Sequence, residues 1–370
     1  MITLKEVTET DLGRLAEYLP RQPPFSHTTK ETWKHRFALW WASNPAFTSH
    51  IPRGWVLEHE NTLRGFIGNV PVTFFMCGEE KTAVAAVAWY VDPSVRGFIS
   101  IGLLNEFLKQ KNASLFLFNT DIKNLMKILY KNKFKEYILP RFETEYLSIV
   151  NKKNLGFILK EFRIIKRPTW GVLKRIVCLM RVYVYQKSLA RSGALSEEEY
   201  TTSLCTSCDE SFLKLWNSRL DTCDVTLSRD LKTLNWIYFP SARLLERVVI
   251  QCRRTQDNAL AGYMVFDTVR ENPTATGVMK LMDMCCEKND PDVITLLLQC
   301  AIETGKQKNV ALLELWADNQ ETETYLKNNF TLRRAADHHN YFRFSDAVAQ
   351  PDSLTICPTM IAPPRGIDHF

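Results

Sequence analysis

The segment from Trp89 to Gln110 contains the residues best suited to bind a phosphate group. An apolar strand ends at Asp92-Pro93, a turn follows through Arg96-Gly97, and the segment continues as an amphipathic helix. Successive backbone N–H groups at a helix N-terminus bind pyrophosphate through their unpaired donors and the helix dipole, and Arg96 would add a positive charge. The sequence leaves a second interpretation open, in which this turn only connects a strand to a helix.

The composition is typical of a soluble globular protein with two to three domains. The chain has 370 residues, of which 45% are hydrophobic and 24% are charged. Its amphipathic, acid-containing start is not typical of a secretory or transit signal, and no run of about 18 apolar residues predicts a membrane span. We therefore expect a cytoplasmic protein.

The cysteines do not predict a metal site. Most of the ten lie in apolar runs and are expected to be reduced, buried thiols. Cys205 and Cys208 form one C-x-x-C pair, but no second pair follows at the spacing of a zinc site.

A strongly basic segment lies near the middle of the chain. Residues 160–191 hold nine Lys and Arg residues against the single acid Glu161, with apolar residues between them at near-helical spacing. This pattern is typical of a helix on an anionic membrane surface or one that binds a polyanion, which would place the protein at the periphery of the inner membrane. It also fits a linker helix packed between domains with its basic face in water.

The two halves of the chain resemble each other. Leu63 and Leu260 are 197 residues apart, as are Gly65 and Gly262, and each pair follows a turn that ends in Asn. Downstream, Tyr130 and Tyr325 are 195 residues apart, and Phe134 and Phe330 are 196 apart. We interpret this as two copies of one unit, a domain at 1–150 and another at 197–345, joined by a basic linker at 151–196 and followed by a proline-containing tail at 346–370.

The order of elements predicts an α+β fold. In the first domain we expect strands near 2–7, 53–59, 63–76, 82–91 and 114–119, helices near 9–18, 29–42, 97–110 and 121–132, and a closing pair near 134–150. Antiparallel hairpins followed by a strand-helix-strand unit give a mixed, mostly antiparallel sheet with helices on both faces.

These elements carry motifs similar to those of the GNAT (acyl-CoA N-acyltransferase) superfamily. "VDPSVRG" at Val91–Gly97 resembles the strand-turn-helix signature of that superfamily. "ILYKNKF" at Ile128–Phe134 and "YLKNNF" at Tyr325–Phe330 resemble its later "LYxKxGF" signature, without the glycine. "RDLKTLNWIY" at Arg229–Tyr238 resembles a helix of tandem GNAT-like proteins from bacterial surface-polysaccharide gene clusters.

This resemblance implies a CoA thioester, acetyl-CoA or another acyl-CoA, as the donor. It implies an amine as the acceptor, such as an amino sugar or another envelope precursor. The strand before the turn would hold the pantetheine arm through backbone hydrogen bonds, and Asn119 would hold the pantetheine or a water. The residues assigned to CoA are Val91, Arg96, Gly97, Phe98, Ile99, Ser100, Ile101, Gly102 and Asn119.

Both turns depart from the pattern of the superfamily, "R-G-x-G-x-G". Ile99 and Ile101 replace two glycines, and Gly102 comes one place late, so β-branched side chains could crowd a phosphate. The corresponding turn of the second domain, Glu287–Asp292, contains three acids. We therefore predict that the second domain does not bind CoA there and instead shapes the acceptor site or an interface.

Acyl transfer to an amine needs a base and often an acid. The resemblance places Tyr130 at the thioester sulfur as the acid, although the residue could equally anchor its helix to the sheet. The central strand Ala83–Val91 has no acid before Asp92. The candidate base is Glu58, with His59, His50 or a water as alternatives.

Two other functions remain open from the sequence. Fem-type aminoacyltransferases are also tandem GNAT-like proteins, lack the full glycine turn and use aminoacyl-tRNA, which the basic segment would suit. A non-catalytic module that binds a partner is the second alternative, because both turns have lost glycines. The sequence does not give the oligomeric state.

Overall fold

The structure is a computed structural model, and residues 2–120, 122–137, 144–151, 157, 198–220, 225–239, 246–270, 275–317, 320–330, 332–335 and 340–345 are described. The basic segment 160–191 and the tail from 346 lie outside this set, so what we predicted for them stays a prediction. Among the helices that are described, none is long and apolar enough to cross a membrane.

The chain divides into two compact units, and neither is contiguous in sequence. Unit 1 comprises Met1–Tyr137, Leu220–Leu244 and His338–Phe370, and unit 2 comprises Ile138–Arg219 and Leu245–Asp337. This division differs from the contiguous domains 1–150 and 197–345 predicted above, because each unit contains strands or helices that lie beyond the predicted boundaries.

Unit 1 is built on a sheet with the strand order β1-β2-β3-β4-β5-β15-β6, and β9 pairs with β3. Within this sheet only β4 and β5 are parallel neighbours; the other described pairs are antiparallel. The strands are β1 (Ile2–Glu6), β2 (Gly54–His59), β3 (Thr62–Met76), β4 (Glu79–Val91), β5 (Leu115–Asn119), β6 (Lys135–Tyr137), β9 (Val225–Leu227) and β15 (Asn340–Phe344).

Helices of unit 1 pack on this sheet and supply its core. They are α1 (Leu12–Tyr18), α2 (Lys30–Phe37), α3 (Phe98–Leu108), α4 (Lys123–Lys131) and α6 (Leu231–Tyr238). The fully buried Leu103, Leu104 and Phe107 place one face of α3 against the core that contains Trp55 and Ile67. The tryptophans after α2 belong to a different aromatic group, in which Trp40 and Trp41 are buried.

Unit 2 repeats this plan with the strand order β14-β7-β13-β12-β11-β10-β8. Again a single described pair, β12 and β13, is parallel. Its strands are β7 (Thr144–Ile149), β8 (Tyr200–Cys205), β10 (Glu246–Arg254), β11 (Leu260–Val269), β12 (Gly277–Cys286), β13 (Val310–Leu315) and β14 (Leu332–Ala335), and its helices are α5 (Glu210–Leu220), α7 (Pro291–Gln307) and α8 (Gln320–Asn329).

The hairpin turns predicted from sequence form as expected. Glu60 and Asn61 both have positive φ, 50° and 61°, between β2 and β3, which is the conformation that a two-residue hairpin turn requires. Asn258 has φ 56° before β11, and the Asp257 carboxylate accepts a hydrogen bond from the backbone N–H of Ala259 at 3.0 Å.

The closing strands are exchanged relative to the simple prediction. A closing pair near 134–150 was expected in one domain, but β6 belongs to the sheet of unit 1 and β7 to the sheet of unit 2. The place beside β5 is taken by β15, from the far end of the chain, with Tyr341 opposite Phe118. Backbone hydrogen bonds carry no sequence information, so local pattern could not reveal which sheet each strand would join.

We predict that β15 is required for unit 1 to fold. Truncation after Asp337 removes the buried Tyr341, Phe342 and Phe344, each worth about 3–5 kcal/mol as a buried aromatic side chain. It also leaves β5 without this neighbour. Truncation after Ser345 is the matched control, because it retains β15. In thermal unfolding, the protein truncated after Asp337 should lose one transition, and the protein truncated after Ser345 should keep it. Identical curves for both truncations would contradict the prediction.

Candidate functional site

The central feature of unit 1 is a gap between its two parallel strands. Their register covers Ala83–Ala85 on β4 and Leu115–Leu117 on β5, whereas β4 continues to Val91 and β5 to Asn119. We call the space between the strands beyond these pairs the splay. Strand backbone at such an opening can hold an extended ligand as an added strand would be held.

A β-bulge in β4 lies beside the splay. Phe66 pairs with Tyr90 and Gly68 with Val87, so β4 has one more residue than β3 between these pairs. Ala88, within this interval, has φ 50°. A bulge redirects the side chains that follow it and is frequent next to active sites. Here Trp89 packs with the core beneath α3, whereas Tyr90 contacts Tyr18 and Phe25.

The turn after β4 is held by the Asp92 carboxylate. Its Oδ1 accepts hydrogen bonds from the backbone N–H of Ser94 at 2.9 Å and from Ser94 Oγ at 2.7 Å. Its Oδ2 lies 3.3 Å from Nη1 of Arg64. The hydrogen bonds from Ser94, together with Arg64, lower the pKa of Asp92, so the carboxylate is ionised at neutral pH and holds the turn through charge-assisted hydrogen bonds.

Arg96 stabilises the turn rather than extending away from it. Its Nε donates to the carbonyl oxygen of Val91 at 2.8 Å, and its guanidinium carbon lies 5.8 Å from the ring centroid of Tyr90. The side chain therefore closes the turn onto the end of β4. Its positive charge stays next to the turn, while the donors that face a ligand would be those of the backbone.

Gly97 begins the helix after the turn. It has φ 128° and ψ −138°, a conformation that is essentially restricted to glycine. Space is not the constraint, since an added Cβ would meet nothing within 4 Å. The backbone N–H of Ser100 donates to the Gly97 carbonyl oxygen at 3.1 Å. The N–H groups of Phe98 and Ile99, which come before it, are of the kind that a helix leaves without a partner at its N-terminus, and such groups can bind an anion. The β-branched Ile99 is exposed and Ile101 is half-buried.

The structure brings the predicted CoA residues to one end of the sheet. Val91 is buried at the end of β4, and Asn119 is exposed at the end of β5. Parallel strands end at the same edge of a sheet, so the turn 92–97, the N-terminus of α3 and Asn119 all lie at the open end of the splay. Gly102 is further along α3, where an added Cβ would lie 3.4 Å from Leu4. No contact marks Gly102 as a phosphate ligand.

Tyr130 is placed elsewhere in unit 1. Its side chain is 47% exposed, and its hydroxyl donates a hydrogen bond to the Glu136 carboxylate on β6. Its ring packs edge-on against Tyr341 with the centroids 5.7 Å apart. The hydrogen bond to Glu136 raises the pKa of Tyr130, which keeps the phenol protonated. In the sheet order β4-β5-β15-β6, Tyr341 lies one strand beyond β5, opposite Phe118, and Glu136 lies two strands beyond it.

Glu58 is held in an ion-pair cluster near the opposite edge of the sheet. Its Oε1 lies 2.8 Å from Nη1 of Arg14 and 3.3 Å from Nζ of Lys5, and the residue is buried. The carboxylate is therefore already engaged by two cations. β2 is separated from β4 by β3, so the role of general base assigned to Glu58 stays a prediction without geometric support.

The two alternative histidines lie in different parts of unit 1. His50 lines a cavity of about 400 Å³ that also contacts Thr82, Ala113 and Lys111. These residues mark the beginning of β4 and of β5, the end opposite to the turn. His59 follows Glu58 at the end of β2 and lies 3.8 Å from the Glu60 carboxylate.

Two polar groups that the sequence did not reveal lie on the Tyr90 side of β4. The Tyr18 hydroxyl and Arg64 Nε are buried and have no hydrogen-bond partner within the part of the chain that is described. Burial raises the pKa of Tyr18, so its phenol stays neutral and can donate or accept a hydrogen bond. No sequence signal could have identified them, since Tyr18 ends a helix and Arg64 lies on a different strand.

The equivalent place in unit 2 is closed by its own side chains. Asp290 Oδ1 accepts a hydrogen bond at 2.9 Å from the backbone N–H of Asp292, in the first turn of α7. Glu287, at the start of this turn, forms an ion pair with Arg254. Between β12 and β13, Trp316 Nε1 donates at 2.5 Å to the carbonyl oxygen of Leu281. An anion at this place would meet carboxylates. On β12, the carbonyl oxygen of Leu281 already accepts a hydrogen bond from Trp316.

The described residues give no indication of a metal site. No group of three or more His, Cys, Asp or Glu side chains suited to hold a metal ion occurs among them. Cys205 and Cys208 are both free thiols, and the Cys205 Sγ donates to the carbonyl oxygen of Ser207 at 2.7 Å.

Comparison with known proteins identifies the fold. No protein-family model matches this sequence, and no curated protein matches it. A GCN5-related N-acetyltransferase from Anabaena variabilis matches with a TM-score of 0.56 and 9% identity, over 94% of this chain and 73% of that one. N-myristoyltransferase from Saccharomyces cerevisiae, with bound myristoyl-CoA, matches with a TM-score of 0.54 and 13% identity, over 97% of this chain and 88% of that one.

A third match agrees with these two. A GCN5-related N-acetyltransferase from Kribbella flavida has a TM-score of 0.56 and 10% identity, over 94% of this chain and 73% of that one. At such identities the likeness shows the fold alone. It confirms the predicted fold class: two GNAT-like units, each a mixed, mostly antiparallel sheet with helices.

We predict opposite effects of alanine at the two glycines of this segment. Gly97→Ala forces a non-glycine residue to φ 128° and should destabilise unit 1 by about 1–3 kcal/mol. Gly102→Ala places its Cβ at an ordinary contact distance within a helix and should stabilise it by up to about 1 kcal/mol. Denaturant midpoints of the two variants measure this difference, and equal destabilisation by both would contradict it.

Proposed function

We propose that this protein is an N-acyltransferase that binds an acyl-CoA in unit 1 and transfers the acyl group to an amine. The observation that carries the proposal is the convergence of the splay, the bulge of β4 and the N-terminus of α3 at one end of the sheet. Backbone N–H groups of the turn and of α3 would bind the pyrophosphate. The free side of β4 would hold the pantetheine arm by strand-like hydrogen bonds.

The reaction would be a direct transfer within the splay. The amine nitrogen attacks the thioester carbonyl carbon, a C–N bond forms, and the C–S bond breaks to release CoA thiolate. The amine loses one proton and the thiolate gains one. Tyr130 remains the candidate acid because its phenol stays protonated. To reach a thiolate in the splay, however, it would have to leave Glu136.

The base is assigned to a water rather than to Glu58. Glu58 is paired with Arg14 and Lys5 and lies on β2, so it is poorly placed to accept the proton of an amine held beside β4. A water at the bulge could take this proton, and the backbone groups released from pairing there can orient it.

The acceptor would approach from the Tyr90 side of β4. Tyr18 and Arg64 present buried hydrogen-bonding groups without partners among the described residues, and a buried polar group gains most when a ligand satisfies it. An amine that also carries hydroxyl or anionic groups would meet this need. An amino sugar or a related envelope precursor, which the resemblance to the GNAT superfamily implies, has this chemistry.

Unit 2 would not bind a second acyl-CoA. The carboxylates of Glu287, Asp290 and Asp292 surround the N-terminus of α7, where they would repel pyrophosphate. Unit 2 would then shape the acceptor site or an interface, as predicted from the sequence.

Calorimetric titration with CoA and acetyl-CoA tests this function. We expect one site per chain, and Arg96→Glu should weaken binding at least about tenfold, which is about 1.4 kcal/mol, because it places a negative charge beside the phosphates. Lys288→Glu is the matched control, since it makes the same charge change at the equivalent turn of unit 2 and should leave affinity unchanged.

Three results would change the conclusion. Two sites per chain would contradict the assignment to unit 1 alone, and equal loss in both variants would indicate a non-specific charge effect. Absence of any CoA affinity in the wild-type protein would refute the proposed function and direct attention to aminoacyl-tRNA donors or to a binding module.

A further inference from the structure

Two aromatic rings meet across the splay. Trp89 lies on β4 and Phe118 on β5, each beyond the last paired residues of its strand. Their ring centroids are 5.6 Å apart at an interplanar angle of 62°, a favourable edge-to-face contact. We call this pair the aromatic bridge. It spans the two strands at the place where their backbones have parted.

The aromatic bridge is supported from behind by a packed core. Phe118 contacts Phe107 and Phe134, in both cases with centroids 5.8 Å apart, and these three phenylalanines are buried. Trp89 itself is only partly buried. The bridge therefore leaves part of the indole accessible and closes the route from the splay into the core under α3.

The opposite face of β4 is also filled by aromatic rings. Tyr90 is buried, and its centroid lies 6.5 Å from Tyr18 and 6.3 Å from Phe25. Further along the strand, the splay ends where Ala85 pairs with Leu117. An extended ligand that enters along β4 is thus bounded by aromatic rings on both faces of the sheet. Its path ends at the hydrogen-bonded backbone of Ala85 and Leu117.

We infer that the aromatic bridge restricts the acyl group to a few carbon atoms, with Trp89 as the residue that sets the limit. This inference rests on the proposed function, because it assumes a pantetheine arm along β4. An arm that starts at the turn 92–97 runs along β4 towards Trp89 and the joined strands, so the acyl carbons come last, meet the aromatic bridge and have the least room. The proteins of similar fold include one with bound myristoyl-CoA, which makes acyl length the property to test.

Acyl-chain selectivity can be measured by titrating CoA, acetyl-CoA and octanoyl-CoA into the wild type and into Trp89→Leu. We expect the wild type to bind CoA and acetyl-CoA with similar affinity and octanoyl-CoA at least about tenfold more weakly. Trp89→Leu should bind octanoyl-CoA about tenfold more tightly than the wild type does and leave CoA affinity unchanged. Preserved CoA affinity also shows that the variant is folded.

The matched control is Trp55→Leu, which makes the same truncation in the same core. Trp55 is buried against Phe107 with the centroids 6.5 Å apart, but it lies on β2. The Trp55→Leu variant should therefore have the same acyl-chain selectivity as the wild type. If Trp89→Leu does not fold, Phe118→Leu removes the other half of the bridge and should relax selectivity in the same direction.

Each outcome separates the two proposals. Wild-type protein that binds octanoyl-CoA as tightly as acetyl-CoA overturns the inference, as does a Trp89→Leu variant with unchanged selectivity. In both cases CoA still binds and the proposed function stands. If relaxed selectivity appears in Trp55→Leu as well, general loosening of the core explains it and the bridge is not the determinant. Failure of the wild type to bind CoA removes both proposals.

Discussion

The parallel pairing of two neighbouring strands is the constraint on which the rest of each unit depends. Antiparallel strands can be joined by a short turn, but parallel neighbours need a crossover, usually a helix. The crossover helix from β4 to β5 is α3, and the one from β12 to β13 is α7. Each helix must therefore begin at the edge where its strands end. Topology therefore brings a helix N-terminus to the ends of the two parallel strands, whatever the side chains are.

Side chains then decide what each unit can do with this common framework. In unit 1 the turn is closed by Asp92 and Arg96, both bound to the turn or to the strand end itself, and no carboxylate follows them in the first turn of α3. In unit 2 Asp290 caps the helix and Trp316 donates to the backbone of β12. The two units therefore share a fold but differ in the groups that surround the N-terminus of the crossover helix.

Local features could be predicted from the sequence, whereas features that depend on partners distant in the chain could not. The turn at Glu60-Asn61 and the Asp290 cap depend on a few adjacent residues, and the structure contains both. The predicted helix at 29–42 is α2, continued by a π-helical turn at Ala38–Ala42. The exchange of β7 and β15 depends on pairing across the whole chain. The surroundings of Glu58 likewise depend on Arg14 and Lys5, whose positions no short motif encodes.

The missing glycines are compatible with phosphate binding because backbone geometry, not composition, supplies the donors. Gly97 is retained at the position where φ is 128°, which a residue with a Cβ adopts only under strain. Beyond it the chain is helical, and α-helical dihedrals suit isoleucine at a cost of well under 1 kcal/mol. Ile99 is exposed rather than buried against the turn, so its side chain is not required for packing there. Gly97 is therefore present where the backbone requires a glycine, whereas the helical positions of Ile99 and Ile101 do not require one.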